Sequence, residues 1–193
     1  MLENFVQLLI LFFVIFDPLA SFVVFFTATK KMKKKEIARM AFYSVLVASL
    51  VSFTFLLLGQ SVLSLFNTSL NDFKVAGGII LGILGVKMTL GHSLMNVEEA
   101  EGNSSRAVAA LIGTPLLTGP AAISAIIISV SDYGTMTTGA AILAIMAFTF
   151  VLFYESYRIN KFVGKTAIHV LSTILGLITL AWGIGFVRAG LGF

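Results

Sequence analysis

The chain has no cysteine, three prolines in 193 residues, and only 11% charged residues. Each shortage excludes something. Without cysteine there is no disulfide framework, no thiolate nucleophile and no cysteine-ligated metal. A soluble domain carries roughly 25% charged residues, so this chain cannot cover a water-facing surface in the usual way. The two histidines, His92 and His169, lie far apart near segment ends and do not suggest a metal site. No nucleophile, base and orienting group stand at a recognisable spacing, and there is no P-loop glycine run for a nucleotide. The sequence reads as a non-enzyme with no cofactor, no metal and no ATP-driven step of its own.

What is abundant is hydrophobicity, 58% of residues with a mean hydropathy of +1.02. A bilayer crossing needs about 20 predominantly apolar residues. Such runs fall at 5–29, 36–66, 73–90, 107–130, 137–157 and 166–189, which predicts an all-α membrane protein of six transmembrane helices. The first run lacks a basic leader, carries Glu3 early and offers no clear small-residue cleavage site, so it reads as a retained span rather than a signal. The second exceeds the bilayer thickness and is expected to tilt or extend into water. Polar turns are expected at 67–72 and 131–134, and the 18 phenylalanines are expected to face lipid.

The formal net charge of +4 could suit nucleic acid, but its main source is one cluster beside a span: Lys30, Lys31, Lys33, Lys34 and Lys35, then Arg39. The fifth loop adds Arg158, Lys161 and Lys165. The positive-inside rule then places the first, third and fifth loops in the cytoplasm and both termini outside. Lys87 and Arg188, near span ends, can extend their heads to the interface.

Two proline-broken stretches interrupt otherwise spanning runs: Asp17-Pro18-Leu19-Ala20-Ser21, and Thr114-Pro115-Leu116-Leu117-Thr118-Gly119-Pro120. Proline removes a backbone donor and clashes with the preceding turn. In hydrocarbon such a break is tolerated only where it is buried or lines a polar cavity. The hydrophilic stretch 92–106, with Glu98, Glu99 and Glu101, divides the chain into a first three-helix repeat, 1–91, and a second, 107–193. An odd number of spans per half makes the repeats inverted. Helices 1 and 4 are then broken near mid-membrane at matching places, the pattern that marks a transporter site. Pro18 aligns with Pro115, Asp17 with Thr114 and Ser21 with Thr118; at a slightly different offset Gly77 aligns with Gly176 and Leu81 with Leu180.

Asp17 is the only acidic residue inside the apolar part of a span. It reads as a proton or cation site, or as an orienter of a substrate ammonium. It reads equally as the cap of a helix starting at Pro18, and both roles are compatible. In the second stretch, amides at a resumed helix start near Gly119, Pro120, Ala121 and Ala122 would favour a carboxylate. The bland alternative is a kink whose hydroxyls, Thr114 and Thr118, satisfy the backbone locally. Small residues, among them Ala20, Ser21 and Ser124, suit a cramped polar cavity. The glycines of spans three and six, including the pair Gly78 and Gly82, read as close-packing positions. Glu155 pairs with Arg158 on the simplest account.

At these residues the chain resembles the MarC family of integral membrane proteins, which includes small neutral amino-acid transporters of the SnatA type. The matching pieces are Asp17-Pro18-Leu19, the stretch from Phe73 to Leu81, Pro115 to Pro120, and Gly164-Lys165 through Ile178. The resemblance covers essentially the whole chain. It implies a six-span protein of the prokaryotic cytoplasmic membrane and, for the characterised branch, proton-coupled transport of glycine, alanine and similar solutes. Ala20, Val24 and Ala121 depart from the family's usual glycine, proline and glycine.

The expected function is secondary active transport of small neutral amino acids by alternating access. The substrate-binding set would be Asp17, Pro18, Leu19, Ala20, Ser21, Thr114, Pro115, Thr118, Gly119, Pro120, Ala121 and Ala122, with Asp17 as the coupling-ion residue. Protons are the expected driving ion, with sodium as the alternative. The other readings are an exporter or passive channel for other small solutes, and a non-transporting membrane scaffold. The partners are the bilayer and the solute, not nucleic acid, and glycine-lined faces leave a homo-oligomer open.

Overall fold

The structure, a computed structural model, describes residues 2–29, 32–90, 117–159 and 165–192. Among the described residues every regular element is helical and there is no strand. The helices are α1 (Leu2–Phe16), α2 (Pro18–Thr29), α3 (Lys34–Leu65), α4 (Leu70–Thr89), α5 (Pro120–Tyr133), α6 (Thr135–Tyr154), the single turn α7 (Ser156–Ile159) and α8 (Lys165–Leu191). Among the described residues three stretches are long and apolar enough to cross a membrane: Lys34–Leu65, Thr135–Tyr154 and Thr173–Leu191. The hydrophilic linker lies outside the described residues, as do the first part of the expected fourth span and the pair Thr114 and Pro115.

Local chemistry sets the helix ends. Lys33 N–H donates to Glu36 Oε2 at 2.8 Å at the start of α3. At its other end Asn67 takes φ +50°, with Asn67 N–H donating to the Ser64 carbonyl and Thr68 N–H to that of Leu63. That is a Schellman closure, with asparagine at the left-handed position. Ser69 then caps α4: Asp72 N–H donates to Ser69 Oγ and Ser69 N–H to Asp72 Oδ2, each at 3.1 Å. The expected turn at 67–72 is therefore shorter, because the Ser-x-x-Asp box starts a helix inside it. The turn expected at 131–134 shrinks to Gly134 alone. Its φ of +83° lets α5 run to Tyr133 and α6 start at Thr135. Helix α6 ends at Tyr154, inside the expected fifth span, and just beyond it stands the expected ion pair, with Arg158 Nη1 2.9 Å from Glu155 Oε2.

Helices α4 and α8 pack antiparallel, backbone on backbone. A Cβ built on Gly78 would stand 2.5 Å from the Gly183 carbonyl oxygen, one on Gly85 2.7 Å from that of Gly176, and one on Gly190 2.6 Å from that of Asn71. Seven residues forward along α4 thus match seven back along α8, the repeat of a shallow helix crossing. Small residues at such a seam are the usual basis of helix association in lipid. The adjacent Gly77 serves another neighbour, its Cβ position lying 2.6 Å from Ser124 Cβ on α5.

The expectation that phenylalanine faces lipid is corrected. Phe12, Phe16, Phe22, Phe25 and Phe153 are among the largest fully buried side chains. Phe25 stacks on Phe153 with ring centroids 4.4 Å apart, and Phe13 meets Phe148 at 5.7 Å. The outward faces carry mainly aliphatic residues, such as Leu50, Leu57, Ile83, Leu143 and Leu177, with Phe42, Phe66 and Phe148 among them. Broken helices pack less regularly than rods, and large rings fill the interior around them.

Candidate functional site

The first break is a single residue. The conformation of a residue preceding proline is biased away from the α region, and here Asp17 leaves it for φ +39°. A non-glycine residue in the left-handed region is costly and clusters at functional sites. The helix restarts with Pro18 at its first position, where the missing N–H is not needed. Ser21 N–H donates to the Asp17 carbonyl at 3.1 Å, so Asp17 occupies the N-cap position of α2. Asp17 is 3% exposed and Ser21 1%.

The second break shares the proline and the first-turn hydrogen bond, but its N-cap residue is extended, at φ −72°, rather than left-handed. Gly119 stands at the N-cap with no side-chain cap, Pro120 is at the first helical position, and Ile123 N–H donates to the Gly119 carbonyl at 3.1 Å. Pro120 thus opens a helix as Pro18 does; Pro115, which the sequence aligns with Pro18, lies outside the described residues. The first-turn amides of Ala121 and Ala122 lack intrahelical acceptors by the geometry of any helix start. Leu117, Thr118, Ala121 and Ala122 are all buried.

The two breaks share one interior. Phe16 and Phe22 flank the first, Leu117, Ala121 and Ala122 belong to the second, and all five lie in one contiguous buried cluster. Helix α1 packs against α5. Of the expected site residues, Asp17, Pro18, Ser21, Thr118, Ala121 and Ala122 are enclosed, while Leu19 and Gly119 are half-buried. Ala20 lies within the first turn of α2. Thr114 and Pro115 lie outside the described residues. The result is a region where a carboxylate, hydroxyls and helix-start amides sit in an apolar enclosure. There, charge-assisted hydrogen bonds are strong and unpaired polar groups are costly.

Several buried hydroxyls escaped the sequence reading. Ser44, Ser52, Ser129 and Thr138 are essentially inaccessible, and their hydroxyl oxygens have no hydrogen-bond partner among the described residues. One available signal is spacing: Ser44 and Ser52 fall on the same stripe of α3 as Ala41, Ala48 and Leu56.

Comparison with known proteins finds relatives described as membrane proteins. A UPF0056 membrane protein of Buchnera aphidicola subsp. Baizongia pistaciae is 29% identical over 195 residues, covering 93% of this chain and 88% of the relative. One from Methanocaldococcus jannaschii is 28% identical over 187 residues, covering 93% and 91%. One from Bacillus subtilis is 25% identical over 198 residues, covering 96% and 93%. No solved structure matches the chain. The family model described as MarC family integral membrane protein matches residues 2–192, and the chain belongs to that family.

Proposed function

We propose that the protein is a secondary active transporter of small neutral amino acids such as glycine and alanine, coupled to protons, working by alternating access between two inverted three-helix repeats. The observation that carries this reading is the pair of proline-led helix starts, at Pro18 and Pro120, opening onto one buried cluster. Helix-start amides at Ala121 and Ala122 suit a carboxylate. Asp17 and Ser21 suit an ammonium, and the small enclosure suits a short side chain. A buried acid on a transport path is also the natural carrier of a coupling proton.

The packing pattern supports inverted repeats. Exchange α1 with α5, α3 with α6, and α4 with α8: the contact of α1 with α6 becomes that of α5 with α3, and that of α1 with α8 becomes that of α5 with α4. The contacts α4–α8, α3–α6 and α1–α5 map onto themselves. Such a frame lets one half rock against the other around a fixed site. In this reading both termini face outward, as the lysine-rich first loop requires.

Uptake of labelled glycine into proteoliposomes, with and without an imposed proton gradient, tests the function. Gradient-driven accumulation is the expected result. Equilibration alone would make the protein a passive channel, and no flux with any small neutral amino acid would leave a scaffold.

A further inference from the structure

Helix α3 carries its own marks of where a bilayer begins and ends. Between Arg39 and Gln60 stand 20 residues without a charge, Met40 to Gly59. At the helical rise they span about 30 Å, the thickness of a bilayer's hydrocarbon core. Arg39 therefore falls at the edge of the hydrocarbon. Lys35, four residues earlier, stands about 6 Å farther out, at the depth of the lipid phosphates.

One face of α3 continues from these cations into exposed hydrocarbon. With 3.6 residues per turn, Lys35, Arg39, Phe42, Leu46, Leu50 and Leu57 lie within an arc of about 80°. Lys35 and Arg39 are exposed, and Phe42, Leu46, Leu50 and Leu57 are 52%, 38%, 61% and 68% exposed. The two cations are neighbours on the helix surface, four residues apart. Among the described residues the ion pairs are Lys74–Asp132 and Glu155–Arg158, and neither takes up Lys35 or Arg39. The adjacent acid, Glu36, points about 100° away from Lys35, and its Oε2 accepts from Lys33 N–H at 2.8 Å. Lys33 and Lys34, also exposed, add to the positive potential at this end. The face is thus a pair of cations at phosphate depth, followed by an apolar strip down the helix.

We propose that this face of α3 retains an anionic phospholipid, its phosphate held by Lys35 and Arg39 and an acyl chain lying along Phe42, Leu46 and Leu50. The guanidinium offers paired donors to phosphate oxygens, and the ammonium adds a point charge. A zwitterionic headgroup brings a cation of its own against these two, so a lipid of net negative charge is favoured. A soluble phosphate would meet the cations but leave the apolar strip below them uncovered. The inference concerns the outer face of α3 and goes beyond the transport reading.

Native mass spectrometry of the full chain tests this. The protein is released from detergent micelles holding equal amounts of phosphatidylglycerol and phosphatidylcholine with the same acyl chains, and the retained lipids are counted. Two cations at headgroup depth should favour phosphatidylglycerol on the order of tenfold. Lys35→Gln with Arg39→Gln should bring the ratio to within about twofold of unity. The charge-matched pair Lys87→Gln and Arg188→Gln, exposed positions on α4 and α8, should leave the preference intact. So should Lys35→Arg with Arg39→Lys, which keeps both charges. No preference in the unaltered protein, or equal loss in the two glutamine pairs, would overturn the proposal. Displacement of the lipid by millimolar glycerol phosphate would overturn it too, making the face a site for a soluble anion. The measurement involves no flux, so its failure and a failure of the transport assay remain distinct.

Discussion

Lys74 near the start of α4 and Asp132 near the end of α5 form an ion pair across 58 residues of chain, with Nζ 3.2 Å from Oδ1 and 3.4 Å from Oδ2. It ties the third expected span to the fourth at the edge where α5 turns into α6. Asp132 is 42% exposed, so solvent screens the pair. A double-mutant cycle of Lys74→Met and Asp132→Asn, read by chemical unfolding in detergent, should give a coupling of about 0.2–1 kcal/mol. Most of it should vanish near 1 M salt, where the screening length falls to about 3 Å. A coupling that is insensitive to salt would contradict the exposed character of the pair.

The α4–α8 seam makes a sharper demand. A Cβ on Gly183 would lie 2.7 Å from the Gly78 carbonyl oxygen and 2.7 Å from the Gly82 amide nitrogen, both backbone atoms that cannot swing away. Gly183→Ala should therefore destabilise by about 1–3 kcal/mol, the range of overpacked interiors. Gly185, two residues on, has nothing within 4 Å of its Cβ position. Gly185→Ala should raise stability by about 0.5–1 kcal/mol through helix propensity. Thermal unfolding of the two variants side by side checks the contrast.

These cases separate what sequence can carry from what needs a partner surface. The break at Asp17 was legible because proline acts on its own neighbour, whatever packs around it. The glycines of spans three and six were legible as packing residues, but their seven-residue register was not, since it belongs to two helices at once. The phenylalanines were misread for a physical reason: lipid and protein core are both apolar, so hydropathy cannot tell Phe25 from Phe42, the one buried and the other exposed. Ser129 and Thr138 were missed because a lone hydroxyl barely moves hydropathy. Only burial without a partner gives it meaning. The helix start near Gly119 and Pro120 was legible for the same reason as the break at Asp17, since proline suits the first position of a helix.

The cap of α4 predicts an acid response. The Ser69 side chain, and then its backbone N–H, donate to Asp72 and hold its carboxyl below the usual aspartate value of 3.8. A depressed folded value means the stabilisation is fully present above 3.8 and is lost as pH falls through the lower, folded value. Hydrogen-exchange protection of the first turn of α4 should therefore drop below that pH and hold steady from there to neutrality. Asp72→Asn should flatten the dependence, since an amide cannot titrate. Protection that changes between pH 5 and 7 would assign the response to another group.

Asp17 combines a backbone role with a charge, and three substitutions separate them. At φ +39° a side chain other than Asn, Asp or Gly is strained, costing about 1–2 kcal/mol per left-handed residue. Asp17→Gly removes the strain and the carboxylate, Asp17→Asn keeps the tolerance and the capping oxygen, and Asp17→Ala loses both. Thermal stability should rank Gly and Asn above Ala, by about 1 kcal/mol or more. On the transport reading all three lose gradient-driven glycine accumulation, whereas Asp17→Asn retains exchange of labelled for unlabelled glycine, because its fold and site shape persist. Asparagine caps a helix as well as aspartate does. Accumulation that survives in Asp17→Asn would therefore reduce Asp17 to a cap and remove it as the coupling group.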